Sequence, residues 1–230
     1  GTSFPSAGVD GLTGDMLESA IGQEAVLTLE PIIHPDHESF NVVGRVPGTG
    51  SGTIYVVSHY DSWHPSESAF DNALGVAAQV LLARQLAQGP RPEREVIFIA
   101  TSGEEQGLQG AFAYADDHAD QIGPEDLVIT LDVLWSGEGT FYAEATRQEL
   151  VDQALEAIAA EGLEAVDGGD PGIGSDHFPF VLLGAQAIWC IRGSDRHYHT
   201  TQDTLENLDM DEGIAAVRSQ WALLSDLAGI

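Results

Sequence analysis

Lysine is absent from the 230 residues; the eight basic side chains, all Arg, face 37 Asp and Glu, for a formal net charge of -29. Binding to nucleic acid or to an anionic membrane draws on Lys and Arg contacts with phosphate, and this composition cannot supply the basic patch they need. Neither is expected as a partner. A single cysteine, Cys190, rules out an intramolecular disulfide, and its place in the apolar run AIWCI marks it as a buried core thiol. No apolar run reaches the roughly 20 residues that a bilayer-spanning helix needs. Repeats, low-complexity tracts and long linkers are missing from residues 40–230, so nothing there breaks the chain into modules. The opening GTSFPS has no Met, no basic region and no apolar leader core, so a signal peptide is expected to have been removed or never to have been present.

The excess of acid without lysine points to a halophilic source, where dense carboxylates hold hydrated cations and keep a surface soluble in salt that screens ordinary repulsion. It also means that most carboxylates are solvated surface, as in the helical pattern of Asp116, Asp117 and Asp120. The informative acids are those placed where a surface pattern does not put them.

An apolar content of 43% supports a sizeable core. The runs VLTLEPII, FNVVGRV, TIYVVSHYD, REVIFIATS, DLVITLDVLW, GTFYAEA and AQAIWCI read as strands, several continuous rather than alternating, as in sheets covered on both faces. Helical spacing holds over 72–88, 106–119, 147–161 and 208–228; in the last, Ile214, Val217, Trp221 and Leu224 make one apolar face. The alternation predicts an α/β fold, a three-layer α/β/α sandwich with a mixed, mostly parallel central sheet.

In such sheets functional groups collect at the carboxyl ends of strands. His59 and Asp61 end TIYVVS, Glu104 and Glu105 end VIFIATSG, and Asp132 ends LVITL. One His after a strand is more often structural than a ligand, but here it has company: HYD at 59–61, DNALG at 71–75, SGEEQGLQG at 102–110, LD at 131–132 and YHTTQDT at 198–204. Two His and three carboxylates, His59, Asp71, Glu105, Asp132 and His199, suit two borderline metal ions if one carboxylate bridges them. Two divalent ions are neutralised by three carboxylates and one hydroxide.

In this order the motifs resemble the co-catalytic di-zinc aminopeptidases, the group of aminopeptidase S and bacterial leucyl aminopeptidase, from about residue 40 to the C-terminus. The resemblance implies a metal-dependent aminopeptidase with two Zn2+ per chain, Co2+ or Mn2+ being substitutes, acting on peptides with a free N-terminus. It places His59 and Asp132 on one zinc, Glu105 and His199 on the other, and Asp71 between them. Asp61 would orient the His59 imidazole, Glu104 would be the general base, and Tyr198 would stabilise the oxyanion, its alternative being a core tyrosine. GIGSDHFPF resembles the stretch bordering the substrate side-chain pocket, which makes Phe180 and Val133 the expected lining; the competing reading has Ser175 capping a helix and the Phe residues in the core.

His34, His37, His64, His118, His177 and His197 match no ligand position. Phe70 before DNALG and Ala111 after GLQG depart from the family pattern at the pocket rim without touching a ligand. Residues 1–39 resemble the tail of a protease-associated insert followed by the first strand, with 40–230 as the catalytic domain and an extracellular, secreted location expected. The competing readings are a single-zinc glutaminyl cyclase, a non-catalytic binding domain on the same fold, and an acidic calcium-binding surface protein. The bridge segment DNALG opposes the first, the filled ligand and base positions oppose the second, and His59 and His199 have no place in the third.

Overall fold

The computed structural model describes residues 9, 11–28, 30, 37–135, 139–193 and 195–230. Chain contacts divide it into residues 1–38 and 39–230. In the first unit α1 (Gly11–Ser19) is the one described helix, and its Leu12 and Met16 are exposed. The expected strand over 26–33 does not form where it is described: Val26 and Leu27 are exposed and carry no strand pairing. A strand exists only when a neighbour takes its N–H and C=O groups, and an apolar run alone does not provide one. The rest of that stretch, and His34, lie outside the described residues.

The second unit is a seven-stranded sheet made of β1 (Val42–Val46), β2 (Thr53–His59), β3 (Glu95–Thr101), β4 (Leu127–Thr130), β5 (Thr140–Ala145), β6 (Val166–Gly169) and β7 (Gln186–Gly193), in the spatial order β1-β3-β2-β4-β7-β5-β6. Strands β3, β2, β4 and β7 run parallel, whereas β1 meets β3 and β5 meets β7 antiparallel. The parallel strands are joined by helical crossovers, α2 (Leu74–Gln88) and α3 (Gln109–Asp117) among them; α4 (Gln148–Ala160), α5 (Phe178–Leu182) and α6 (Met210–Ala228) complete the helices.

Side chains of the central strands alternate between two cores, which explains why their sequences are apolar without a break. Ile54 and Val56 of β2, with Leu127 and Ile129 of β4, pack against Ala78 and Leu82 of α2, Ala154 of α4 and Leu223 of α6. Their neighbours Tyr55, Val57 and Val128 turn to the other face, toward Ala111 and Tyr114 of α3 and Phe180 of α5. Cys190 is fully buried in the first core, and burial pushes its thiol up to about 12. Within residues 39–230 two of these elements had no signature in the sequence: β6, the exposed edge segment VDGG, and α5, a five-residue helix too short to show a period.

Candidate metal centre

Because β2, β3 and β4 are parallel and in register, their carboxyl ends meet at one edge: His59 pairs with Thr101, and Val57 with Thr130. The Leu131 N–H still reaches the Val57 carbonyl at 2.8 Å, so Asp132 starts where the ladder ends, beside His59. The loop after β2 returns Asp71 to this edge. It is pinned there by Asn72, whose amide donates to the Leu131 carbonyl at 2.9 Å, and by Gly75, where a Cβ would collide with Asn72 Oδ1 and the Leu131 carbonyl. Glu104 and Glu105 follow β3 in a turn opened by Gly103 at φ +72°. The Asp61 carboxylate accepts both of their backbone N–H groups, at 3.1 and 3.2 Å.

Side chains from five segments converge. His59 Nε2 lies 3.0 Å from Asp71 Oδ1 and 3.1 Å from Asp132 Oδ1, while His199 Nε2 lies 3.0 Å from Asp71 Oδ2 and 3.2 Å from Glu105 Oε2. Each oxygen of Asp71 thus serves a different triad, and within each triad the candidate ligand atoms lie within 4.8 Å of one another. His199 Nε2 and Glu105 Oε1 are buried yet make no hydrogen bond. A buried imidazole nitrogen and a buried carboxylate oxygen left without a hydrogen bond inside one ligand cluster fit a shared cation, and the mixed N/O donor set suits zinc. The His59 Nδ1 faces the Asp61 backbone carbonyl at 3.1 Å; donating there leaves the Nε2 lone pair free for an ion.

Electrostatics follow from packing acids together. Burial, then the Asp132 charge, pushes Glu104 up to about 8, and burial with the Asp71 charge pushes Glu105 up to about 7. For His59 burial opposes the charged ring, but the carboxylates of Asp132, Asp61 and Asp71 around it override that and the net shift is strongly upward. Burial and the Asp71 and Asp132 charges raise Tyr198, keeping its phenol protonated as a donor. Two residues here, Val133 and His199, hold positive φ without being glycine, at 43° and 56°, a strain that is typically concentrated at functional sites.

The structure thus gathers His59, Asp71, Glu105, Asp132, His199, Glu104 and Tyr198 at one edge. Tyr198 and Val133, with Glu104, Phe70, Trp189 and Ile191, line a cavity of about 240 Å³ beside Asp71 and Asp132. Phe180 is placed elsewhere and its expected pocket role is corrected: it is fully buried against Tyr55 and Tyr114, with ring centroids 5.1 and 6.0 Å away, because α5 turns it into the second core. Asp61 sits beside His59, but its carboxylate is 3.6 Å from Nδ1 and is taken by the two N–H groups of the Glu104 turn; its backbone carbonyl faces the ring. Ser175, read as a helix cap, donates to Asp132 Oδ2 at 2.6 Å.

Sequence reasoning missed several supporting groups. Trp189 Nε1 donates to the Asp132 carbonyl at 3.0 Å, and Trp63 stacks on His199 at 4.8 Å. Asp176, fully buried and hydrogen-bonded to Thr101, is pushed by burial up to about 7. Only Asp176 had a local signal, an acid amid the apolar residues of GIGSDHFPF.

A family model described as Peptidase family M28 matches residues 41–224. Aminopeptidase YwaD of Bacillus subtilis (strain 168) is 27% identical over 216 residues, 84% of this chain and 45% of the relative. The solved structure of BSAP, a zinc aminopeptidase from Bacillus subtilis, is similar at a TM-score of 0.70 and 24% identity, over 81% of this chain and 49% of that one. Porphyromonas gingivalis glutaminyl cyclase is similar at 0.69 and 20%, over 81% of this chain and 77% of that one. At these identities the two structures speak for the fold alone. The chain spans less than half the length of the curated aminopeptidase it matches.

Proposed function

We propose that this chain, which belongs to peptidase family M28, is a two-zinc aminopeptidase that releases N-terminal amino acids from peptides. The observation that carries the reading is the Asp71 carboxylate, with one oxygen in the His59–Asp132 triad and the other in the Glu105–His199 triad. Ions held there would polarise the scissile carbonyl and lower the pKa of the attacking water.

The chain's own groups do the rest. Glu104, raised toward neutrality and lining the cavity, accepts the water's proton and returns it to the leaving amine. The protonated Tyr198 phenol donates to the oxyanion. The carboxylates draw the substrate's α-ammonium, and the apolar wall of Phe70, Val133, Trp189 and Ile191 receives its first side chain.

Metal analysis coupled to hydrolysis of an amino-acid anilide panel tests this. Two ions per chain are expected, with activity lost on chelation and restored by zinc, and no cleavage of N-acetylated peptides. Glu104→Gln should keep both ions and lose turnover by about 10²–10⁴-fold. Near-normal kcat in that variant would remove Glu104 as the base. The cyclase-like fold favours one rival reading, for which a single ion and cyclisation of peptides with N-terminal Gln would be the signature.

A further inference from the structure

We infer that Asp203 is the positioning residue that sets the shared carboxylate between the two triads. The inference rests on the two-ion reading above and concerns a residue that is not itself in either triad. Asp203 is 2% exposed and receives three successive backbone N–H groups from the segment that delivers Asp71. Phe70 N–H donates to its Oδ1 at 2.6 Å, Asp71 N–H to its Oδ2 at 3.1 Å, and Ala69 N–H to its backbone carbonyl at 3.4 Å. Both carboxylate oxygens are thus engaged, each by one amide of the bridging segment.

The geometry couples two ligands. Asp203 lies four residues after His199 and is tied back to that turn by its own N–H on the Thr200 carbonyl at 3.2 Å. In sequence it is 132 residues from Asp71. One buried side chain therefore fixes the backbone of the shared ligand relative to the segment that carries His199. Asp71 Oδ1 and Oδ2 must sit 3.0 Å from two different imidazoles at once, and a small rotation of the 69–71 segment would favour one triad at the expense of the other. A carboxylate is required, because an amide at 203 has one acceptor for two N–H donors and turns an N–H group toward the other.

The test is stepwise zinc titration of chelator-stripped protein against a competing dye. Wild type, Asp203→Asn and Asp203→Ala are compared, with Asp209→Ala as a control that removes the cap of α6, where the Asp209 side chain accepts from Glu212 N–H, far from the triads in role. Loss of a group that orients a metal ligand typically costs 10–100-fold in affinity. Because Asp71 serves both triads, Asp203→Ala is expected to show that loss in both binding steps, with Asp203→Asn between it and wild type. Asp209→Ala should lower the melting temperature and leave both affinities in place. Unchanged stepwise affinities in Asp203→Ala, or equal weakening in Asp209→Ala, would overturn the inference. If Asp203→Ala does not fold, Asp203→Asn decides by the same readout. A wild-type protein that binds fewer than two ions would instead overturn the two-zinc reading on which it stands.

Discussion

His199 is held at φ 56° between two rings, Tyr198 at 3.8 Å and Trp63 at 4.8 Å, and its ring nitrogen meets two carboxylates. Such crowding has a titration consequence in the metal-free chain. Burial raises Glu104 to about 8 and Glu105 and Asp176 to about 7, with the Asp132 charge adding most for Glu104 and the Asp71 charge for Glu105. The folded chain then holds protons that unfolded carboxyls, titrating near 4, have released. Stability from these groups is complete below about pH 4 and is lost as pH rises toward 8. His59, raised as well, acts with the same sign. Calorimetry of chelated protein in molar KCl, which screens the surface charge, should therefore give a lower melting temperature at pH 8 than at pH 5.5. Zinc should flatten the slope, since bound carboxylates ionise and release their protons to the buffer. A melting temperature that rises with pH in the chelated protein would count against the buried protons.

The element that carries most of this chemistry is the crossover from β2 to α2. It leaves the sheet at His59, returns with Asp71, and enters α2 through Asn72 and Gly75, whose neighbours are the Leu131 carbonyl and the Asn72 side chain. DNALG thus has two glycine-dependent contacts: α2 approaches the end of β4 where no Cβ fits, and the Asn72 amide uses the space. Gly75→Ala should force Asn72 off the Leu131 carbonyl and cost about 1–3 kcal/mol, the usual range for overpacking a filled site. Metal occupancy should fall with it, because Asn72 adjoins the shared ligand. Denaturant melts with and without zinc would check both effects. Unchanged stability would mean that α2 can shift outward without loss.

For the molecule as a whole the dominant quantity is the formal charge of -29. The acids are not spread evenly: α2 has none in its 15 residues, although Val80 and Leu81 are exposed on it, whereas α6 places Asp211 and Glu212 in its first turn. At 0.1 M salt like charges repel over a Debye length of about 10 Å, and at 1 M over about 3 Å. Self-repulsion destabilises the compact state, so the melting temperature of zinc-saturated protein should climb between 0.1 and 3 M KCl. Saturating the site first keeps ligand neutralisation out of the comparison. A flat or falling curve would remove the reading of salt adaptation and leave the site untouched.

Residue order in the sequence was enough to assign the three-layer sandwich and the edge at which the chemistry gathers, because both depend on short-range pattern. Runs such as TIYVVS stay apolar only when both faces are covered, and polar groups directly after them mark strand ends. HYD and the Glu104–Glu105 pair are such ends, whereas the roles of DNALG and YHTTQDT came from the resemblance to the di-zinc aminopeptidases. Packing between distant segments decided the rest. Phe180 sits in a motif that borders the site, yet the direction of a five-residue helix sends it into the core against Tyr55. The stretch 26–33 has a strand's composition, but a strand also needs a partner for its backbone. That the Asp61 carboxylate takes the Glu104 amide, 43 residues on, and that Asp203 takes the amides of Phe70 and Asp71, 133 and 132 residues back, are contacts between distant segments. Hydrogen bonds of that reach leave no periodicity in the chain; they form only once the sheet has brought its strand ends together.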